Sequence, residues 1–302
     1  MAFTRLTADK AHFISLHGDL GYSALLHTIP DRAPSAGLNA NLGVDYRLFY
    51  NNFLFSAGVE GMYQLNSNPL DAMDLSLPML DTEGEPFQMH VLVDESNDLS
   101  HMLNLNIPLL VGGEWGRFYF LVGPKASINL YGAASSNAEF TTYGEYDRMY
   151  DDFYDMPNHQ FQSGHTMQSG LLPMKWNVNI MAHLEVGGRL GHMFRYKAFR
   201  LDPDRVRMYL AAYVDFGILN LHAKGTGAPA FDYRETDEGL KFYIQPLLLS
   251  TMSDNATIRN LNVGVKYTVA FELPQRGKSF IYDWNSVDQN YRKRGGNQTI
   301  KH

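Results

Sequence analysis

Side chains that alternate apolar and polar at a period of two can serve two different surroundings only as a strand, because successive residues of an extended chain point to opposite faces. Eight segments of this 302-residue chain alternate in that way. Residues 14–26 put Ile14, Leu16, Leu20, Tyr22, Ala24 and Leu26 on one face and Ser15, His17, Asp19 and Ser23 on the other. Residues 37–50 set Leu38, Ala40, Leu42, Val44, Tyr46, Leu48 and Tyr50 against Asn39, Asn41, Asp45 and Arg47. Asn51 and Asn52 turn the chain, and Phe53, Phe55, Ala57, Val59 and Tyr63 then oppose Ser56, Glu60 and Gln64, as in a hairpin. A second hairpin turns at Gly116 and Arg117, and residues 175–190, 207–218 and 260–273 complete the set. No apolar run approaches the roughly 20 residues of a membrane-spanning helix. Joins of two residues follow the second and fourth segments, whereas long stretches follow the third, fifth and seventh. The pattern predicts an all-β chain: an eight-stranded antiparallel up-and-down transmembrane β-barrel over residues 1–274, with short periplasmic turns and long extracellular loops. A basic aromatic periplasmic tail is expected over residues 275–302.

Alternation alone leaves open whether the apolar face meets lipid or, as in a soluble lipocalin-like ligand-binding barrel, a cavity. Three features favour lipid. The polar face carries Asp19, Asp45, Glu60, Glu114, Glu185, Asp215 and Glu272 against Arg47, Lys125, Lys175, Arg189, Arg207 and Lys266, a near balance that suits a closed lumen of paired ions. The same face holds Gly21, Gly43, Gly58, Gly112, Gly123, Gly187, Gly217 and Gly264, which leave room for long side chains in a narrow interior. Tyr46, Tyr50, Phe53, Phe55, Trp115, Phe118 and Phe120 gather near the short turns, where a membrane interface would lie.

Cysteine is absent, which removes disulfides, thiolate metal sites and cysteine nucleophiles, and a formal charge of −7 gives no reason to expect nucleic acid. Residues 1–13 contain no apolar core of a signal peptide, so an exported chain would be numbered here from its mature or recombinant start.

The hairpin LNLNIPLLVGGEWGRFYFLVGPKASINL, Leu103 to Leu130, with the closing strand NLNVGVKYTVAFEL, resembles the PorT-type outer-membrane β-barrel families of Bacteroidota, similar in architecture to the OmpA transmembrane barrel. About 270 residues fit that architecture, and the hairpin is its specific part. The resemblance implies a non-enzymatic envelope component of the protein-export or outer-membrane assembly type, located in the outer membrane. Such barrels end at an aromatic residue of the last strand, which Phe271 would supply, whereas here a tail follows.

The alternative from another class is a lipid A-modifying enzyme. A deacylase would need a histidine and a serine reachable from the lipid, and the outward face is read as offering neither. His17 with Ser15 and Asp19, or His183 with Glu185, could be drawn as acid–base pairs, but in a charged lumen such neighbours more simply satisfy one another. No catalytic residue, cofactor or metal is therefore expected. The stretch YGEYDRMYDDFYD sets Tyr143, Tyr146, Tyr150, Phe153 and Tyr154 among five acids, a pattern better suited to docking on a protein than to holding calcium. Residues 66–98 add eight acids and no Lys or Arg, and within them FQMHVLV, Phe87 to Val93, is expected to extend a strand above the membrane or pack on a neighbour. At the other rim Arg195, Lys197, Arg200 and Arg205 precede a tail with Phe280, Tyr282, Trp284, Arg292, Lys293 and Arg294. Expected partners are other outer-membrane or periplasmic proteins, with lipid and lipopolysaccharide around the barrel.

Overall fold

A computed structural model describes residues 10–29, 34–70, 73–81, 84–146, 161, 164–175, 178–190, 206–221, 227–236 and 239–273. Eight long strands close on themselves: β1 (Ala11–His27), β2 (Ser35–Tyr50), β3 (Phe53–Leu70), β5 (Pro86–Trp115), β6 (Phe118–Tyr146), β9 (Asn179–Leu190), β10 (Val206–Gly217) and β13 (Ile258–Glu272). Each pairs antiparallel with its predecessor, and β13 returns to β1 through a ladder from Phe13↔Glu272 to His27↔Ile258, so no edge is left along the wall. These are the eight segments whose alternation marks them in the sequence. Two tight turns bear out the short joins: Asn51 (φ 54) and Gly116 (φ 64) take the left-handed conformation that Asn and Gly tolerate best.

The alternation divides the wall as expected. Leu20, Leu42, Phe53, Phe118 and Val186 stand outward and exposed, while Arg47, Glu60, Lys125, Glu185, Asp215 and Lys266 are buried inside. Exposure of Leu42 is 75% and that of Arg47 is 0%, the reverse of a water-soluble barrel. The wall is therefore fit for hydrocarbon outside and for ions inside, its strands joined by ladders all round the ring.

Long connections differ from plain loops. Strand β4 (Met73–Leu80) pairs with the upper half of β5, and β5 and β6 run together from Trp115↔Phe118 up to Phe87↔Tyr146. Strands β7 (His165–Gln168) and β8 (Leu172–Pro173) lie along β6. A hairpin of β11 (Phe231–Thr236) and β12 (Gly239–Ile244) packs over this raised sheet. Phe87 to Val93 is strand, as one of its two expected readings held. Two register shifts shape the rise, one between Leu103 and Asn104 and one between Val93 and Glu95. The upper one inserts a single residue into β5, a bulge that exchanges which alternate residues face inward. Below it Asn104, Ser100, Asp98 and Ser96 face in, and above it Val93, Val91, Met89 and Phe87 do.

The last long connection folds back over the barrel mouth. Leu247, Leu248 and Leu249 form one 3-10 turn and Thr251–Ser253 another. The three leucines are buried with Leu25, Ile29, Met102, Ala134, Met174, Leu221, Ala256 and Ile258, which makes an apolar lid.

Candidate functional site

Four layers fill the lumen. At the short-turn rim Phe13, Phe49, Leu54, Leu110, Tyr119, Leu121, Tyr209, Ala211 and Ala270 cluster inside the wall. Arg207 is held between the rings of Phe13 and Phe49, 4.5 and 4.6 Å from their centroids, and reaches Glu114 at 4.0 Å. Tyr209 donates to Glu114 Oε2 at 2.9 Å. This layer closes the rim by aromatic packing and cation–π contact.

Above it lies the ion network. Lys125 Nζ sits 2.6 Å from Glu60 Oε1 and 2.8 Å from Asp215 Oδ2. Lys266 Nζ is 3.1 Å from Glu185 Oε2, and Arg47 Nη2 lies 3.6 Å from Asp45 and 3.9 Å from Glu185. Two histidines join in. His17 meets Asp45 through Nδ1 at 3.0 Å and Glu60 through Nε2 at 3.1 Å. His183 meets Asp215 through Nδ1 at 2.5 Å and Glu185 through Nε2 at 3.3 Å. Each ring thus presents both of its nitrogens to carboxylates carried by the wall. Among the described residues Asp19, Asp45, Glu60, Glu185 and Asp215 share this layer with Arg47, Lys125, Lys266, His17 and His183. Tyr119 donates to Glu185 at 2.5 Å and Tyr213 to Asp19 at 2.8 Å. The Tyr213 ring lies over Gly21 and Gly264, where an added Cβ would come within 2.9 Å of the Tyr213 hydroxyl and 2.8 Å of its ring. The backbone carbonyls of Val263 and Leu20 would lie closer still to the added Cβ atoms, so the facing backbone and the ring together require glycine at both positions.

A layer of amides follows. Gln64 Nε2 donates to Asn262 Oδ1 at 2.8 Å and Ser23 Oγ at 2.9 Å, and its Oε1 accepts from Asn104 at 3.1 Å. Beside them is a cavity of about 10 Å³, room for one water. The lid closes the stack. Asp98 anchors it, accepting from Leu247 N through Oδ2 and from Ser136 Oγ through Oδ1, both at 2.5 Å.

Placement of the expected lumen residues is uneven. Asp19, Asp45, Arg47, Glu60, Lys125, Glu185, Asp215 and Lys266 meet in the centre. Glu114 and Arg207 belong to the rim layer, and Arg189 and Glu272 are half-buried near the same end. Lys175 is exposed and outside the lumen, because it precedes β9, which begins at Asn179. Of the acid–base pairs drawn from sequence, His183 does meet Glu185, whereas His17 faces Asp45 and Glu60 rather than Ser15 and Asp19. His17, Asp19 and Glu60 bring potential metal ligands within 4.8 Å of one another. Glu60 already takes Lys125, His17 and Asn106 at 2.6–3.1 Å, so its oxygens are occupied by donors of this chain.

The outward face does carry histidine, contrary to its reading from sequence. His12 Nδ1 bonds the Tyr46 hydroxyl at 2.5 Å, and Tyr63 meets His101 Nδ1 at 2.8 Å, both pairs exposed on the wall.

The raised sheet has two unlike faces. Inward, Val91, Val93, Ala138, Phe140 and Ile244 pack with Leu75, Leu77, Phe231 and Phe242. Beside Phe140, His165 is drawn below its ordinary pKa by partial burial, and the two rings stack at 4.9 Å. Outward, His90 lies between Asp74 Oδ1 at 3.3 Å and Glu145 Oε2 at 3.1 Å and stacks on Tyr143 at 4.7 Å. Tyr143 and Tyr146 are strand residues of β6, not loop residues, and Tyr146 stacks on Phe87 at 5.1 Å. Tyr150, Phe153, Tyr154, Tyr282, Trp284, Arg292, Lys293 and Arg294 lie outside the described residues, as does the tail over 275–302.

No family model and no curated protein matches the chain. Among solved structures it is similar to Neisserial surface protein A, at 8% identity over 85% of this chain and 97% of that one, with a TM-score of 0.31. It is also similar to Ail, the attachment invasion locus protein of Yersinia pestis solved with the heparin analogue sucrose octasulfate, at 10% identity over 85% and 98%, TM-score 0.21. The outer membrane protease OmpT of Escherichia coli matches at 8% identity over 90% and 99%, TM-score 0.28. With overlaps this loose, the character of the chain rests on its own strands and side chains.

Proposed function

We propose that the chain is a non-enzymatic integral outer-membrane β-barrel, an accessory subunit that presents a platform to other envelope proteins. The observation that carries this reading is the contrast between a lumen filled from rim to lid and a sheet that continues beyond the mouth on β4, β5, β6 and β7. A filled lumen offers no route for solute. Strands that outrun the membrane span place an acidic, Tyr-bearing face where another protein can reach it. In this reading the turns at Asn51 and Gly116 face the periplasm, the raised sheet stands outside, and the basic tail meets periplasmic partners. The resemblance of the Leu103–Leu130 hairpin to PorT-type barrels supports a place in an export or assembly complex.

Purification from native membranes in mild detergent tests the proposal. A subunit that stays bound through size exclusion is expected, and a barrel that runs alone would remove the accessory role. A second reading, a lipid A-modifying enzyme, takes its support from the exposed His12–Tyr46 and His101–Tyr63 pairs. It would be adopted if deletion of the protein changed lipid A acylation.

A further inference from the structure

Among the described residues β4 has one hydrogen-bonded neighbour, β5, and stands at the end of the sheet order. The ladder runs from Met73↔Val93 to Leu80↔Pro86 and passes through Pro78↔Gln88 without a register shift. Pro78 has no N–H to give. In an antiparallel pair a residue directs its N–H and C=O to the same side, and successive residues alternate sides. The proline nitrogen therefore belongs on the side away from β5, and by alternation Asp74 and Ser76 turn their N–H and C=O groups the same way. Pro78 and the short length limit this edge, as edges that must not aggregate are limited, but leave two residues able to pair. Two further features say what would pair. Leu75 and Leu77 reach the apolar core of the raised sheet yet are only partly buried, so the core runs out to the edge. The flank is acidic: Asp74 is exposed on the outer face, Glu145 stands beyond His90 on that face, and residues 66–98 hold no Lys or Arg.

We infer that the β4 edge at Asp74–Ser76 receives an extended segment of a partner protein by strand addition, a segment alternating apolar and basic residues. Its apolar side chains continue the layer of Leu75 and Leu77, and its Lys or Arg side chains lie beside Asp74, while main-chain hydrogen bonds join the two strands. This rests on reading the raised sheet as a docking platform and names where on it the partner binds.

Fluorescence anisotropy on the detergent-folded full chain tests it with three short labelled peptides: one alternating Lys and Val, its Glu and Val counterpart, and the Lys and Val peptide N-methylated along its backbone. The unmethylated Lys and Val peptide is expected to bind, more weakly as salt rises. Backbone methylation, or Ser76→Pro in the protein, is expected to weaken it by about tenfold or more, the loss of at least one ladder hydrogen bond. Asp74→Asn, which leaves the backbone untouched, is expected to weaken it by a smaller factor, and the Glu and Val peptide is expected not to bind. Equal binding of the methylated and unmethylated peptides, or no binding of either, would overturn strand addition at this edge. In both cases the native co-purification above still decides the accessory role separately.

Discussion

The lumen and the raised sheet share two strands, β5 and β6, and they keep opposite interiors. Along the lower halves of β5 and β6 the enclosed side chains are Asn104, Asn106, Lys125 and Ser127, and along the upper halves they are Met89, Val91, Val93 and Phe140. What differs is the surroundings of the outer face. A wall against hydrocarbon must put its apolar residues outside, which leaves polar groups to be satisfied within. A sheet standing in water does the reverse. One inserted residue between Val93 and Glu95 changes the inward set of β5, and one at Leu130 changes that of β6, without ending either strand.

Substitutions should separate the two interiors sharply. The largest effect is expected for Lys125→Met, which leaves Glu60 and Asp215 buried without their shared cation and should cost about 3–5 kcal/mol. The check is urea unfolding of the folded barrel followed by heat-dependent gel mobility, with the midpoint shifted for the whole barrel. Phe140→Ala empties the core of the raised sheet at a cost of about 3 kcal/mol there. Hydrogen exchange should rise in the upper halves of β5 and β6 while the barrel ladder keeps its protection, and uniform loss would mean the two regions fold as one unit. Next comes Gly21→Ala, whose Cβ would lie 2.5 Å from the Val263 carbonyl, expected to cost about 1–3 kcal/mol in the same unfolding assay. The smallest effect concerns pH. His165 has its pKa lowered from 6.5 by burial, so the folded sheet binds fewer protons than the unfolded chain as pH falls below that value. Its contribution is complete above pH 6.5 and fades on acidification. Exchange protection of β7 should therefore weaken in mild acid, and His165→Phe should flatten that response.

Much of the barrel is legible in the chain because each face of each strand meets a different medium, and Leu38 to Tyr50 records that at every step. The histidines of the ion network are legible by their phase, but the cross-strand partners Asp45 and Glu60 of His17 and Asp215 of His183 are not, since they lie on neighbouring strands. His12 is legible in the sequence, since it shares its phase with Ile14 and Leu16. Lys175 is the opposite case, a phase carried beyond the end of its strand. Residues 66–98 read as a loop because acids and turn-formers interrupt them, although Leu75, Leu77 and Phe87 to Val93 keep a two-residue rhythm. Their pairing partners lie on distant segments, and no local pattern reveals them.

The lid sits in the connection just before β13, the strand that completes the ring against β1. Whatever assembles this protein therefore draws the stopper into the mouth in the same motion that zips the final seam. A ring parted along that seam would come unstoppered as well, so a half-closed form would display leucines at its opening that the finished molecule never shows.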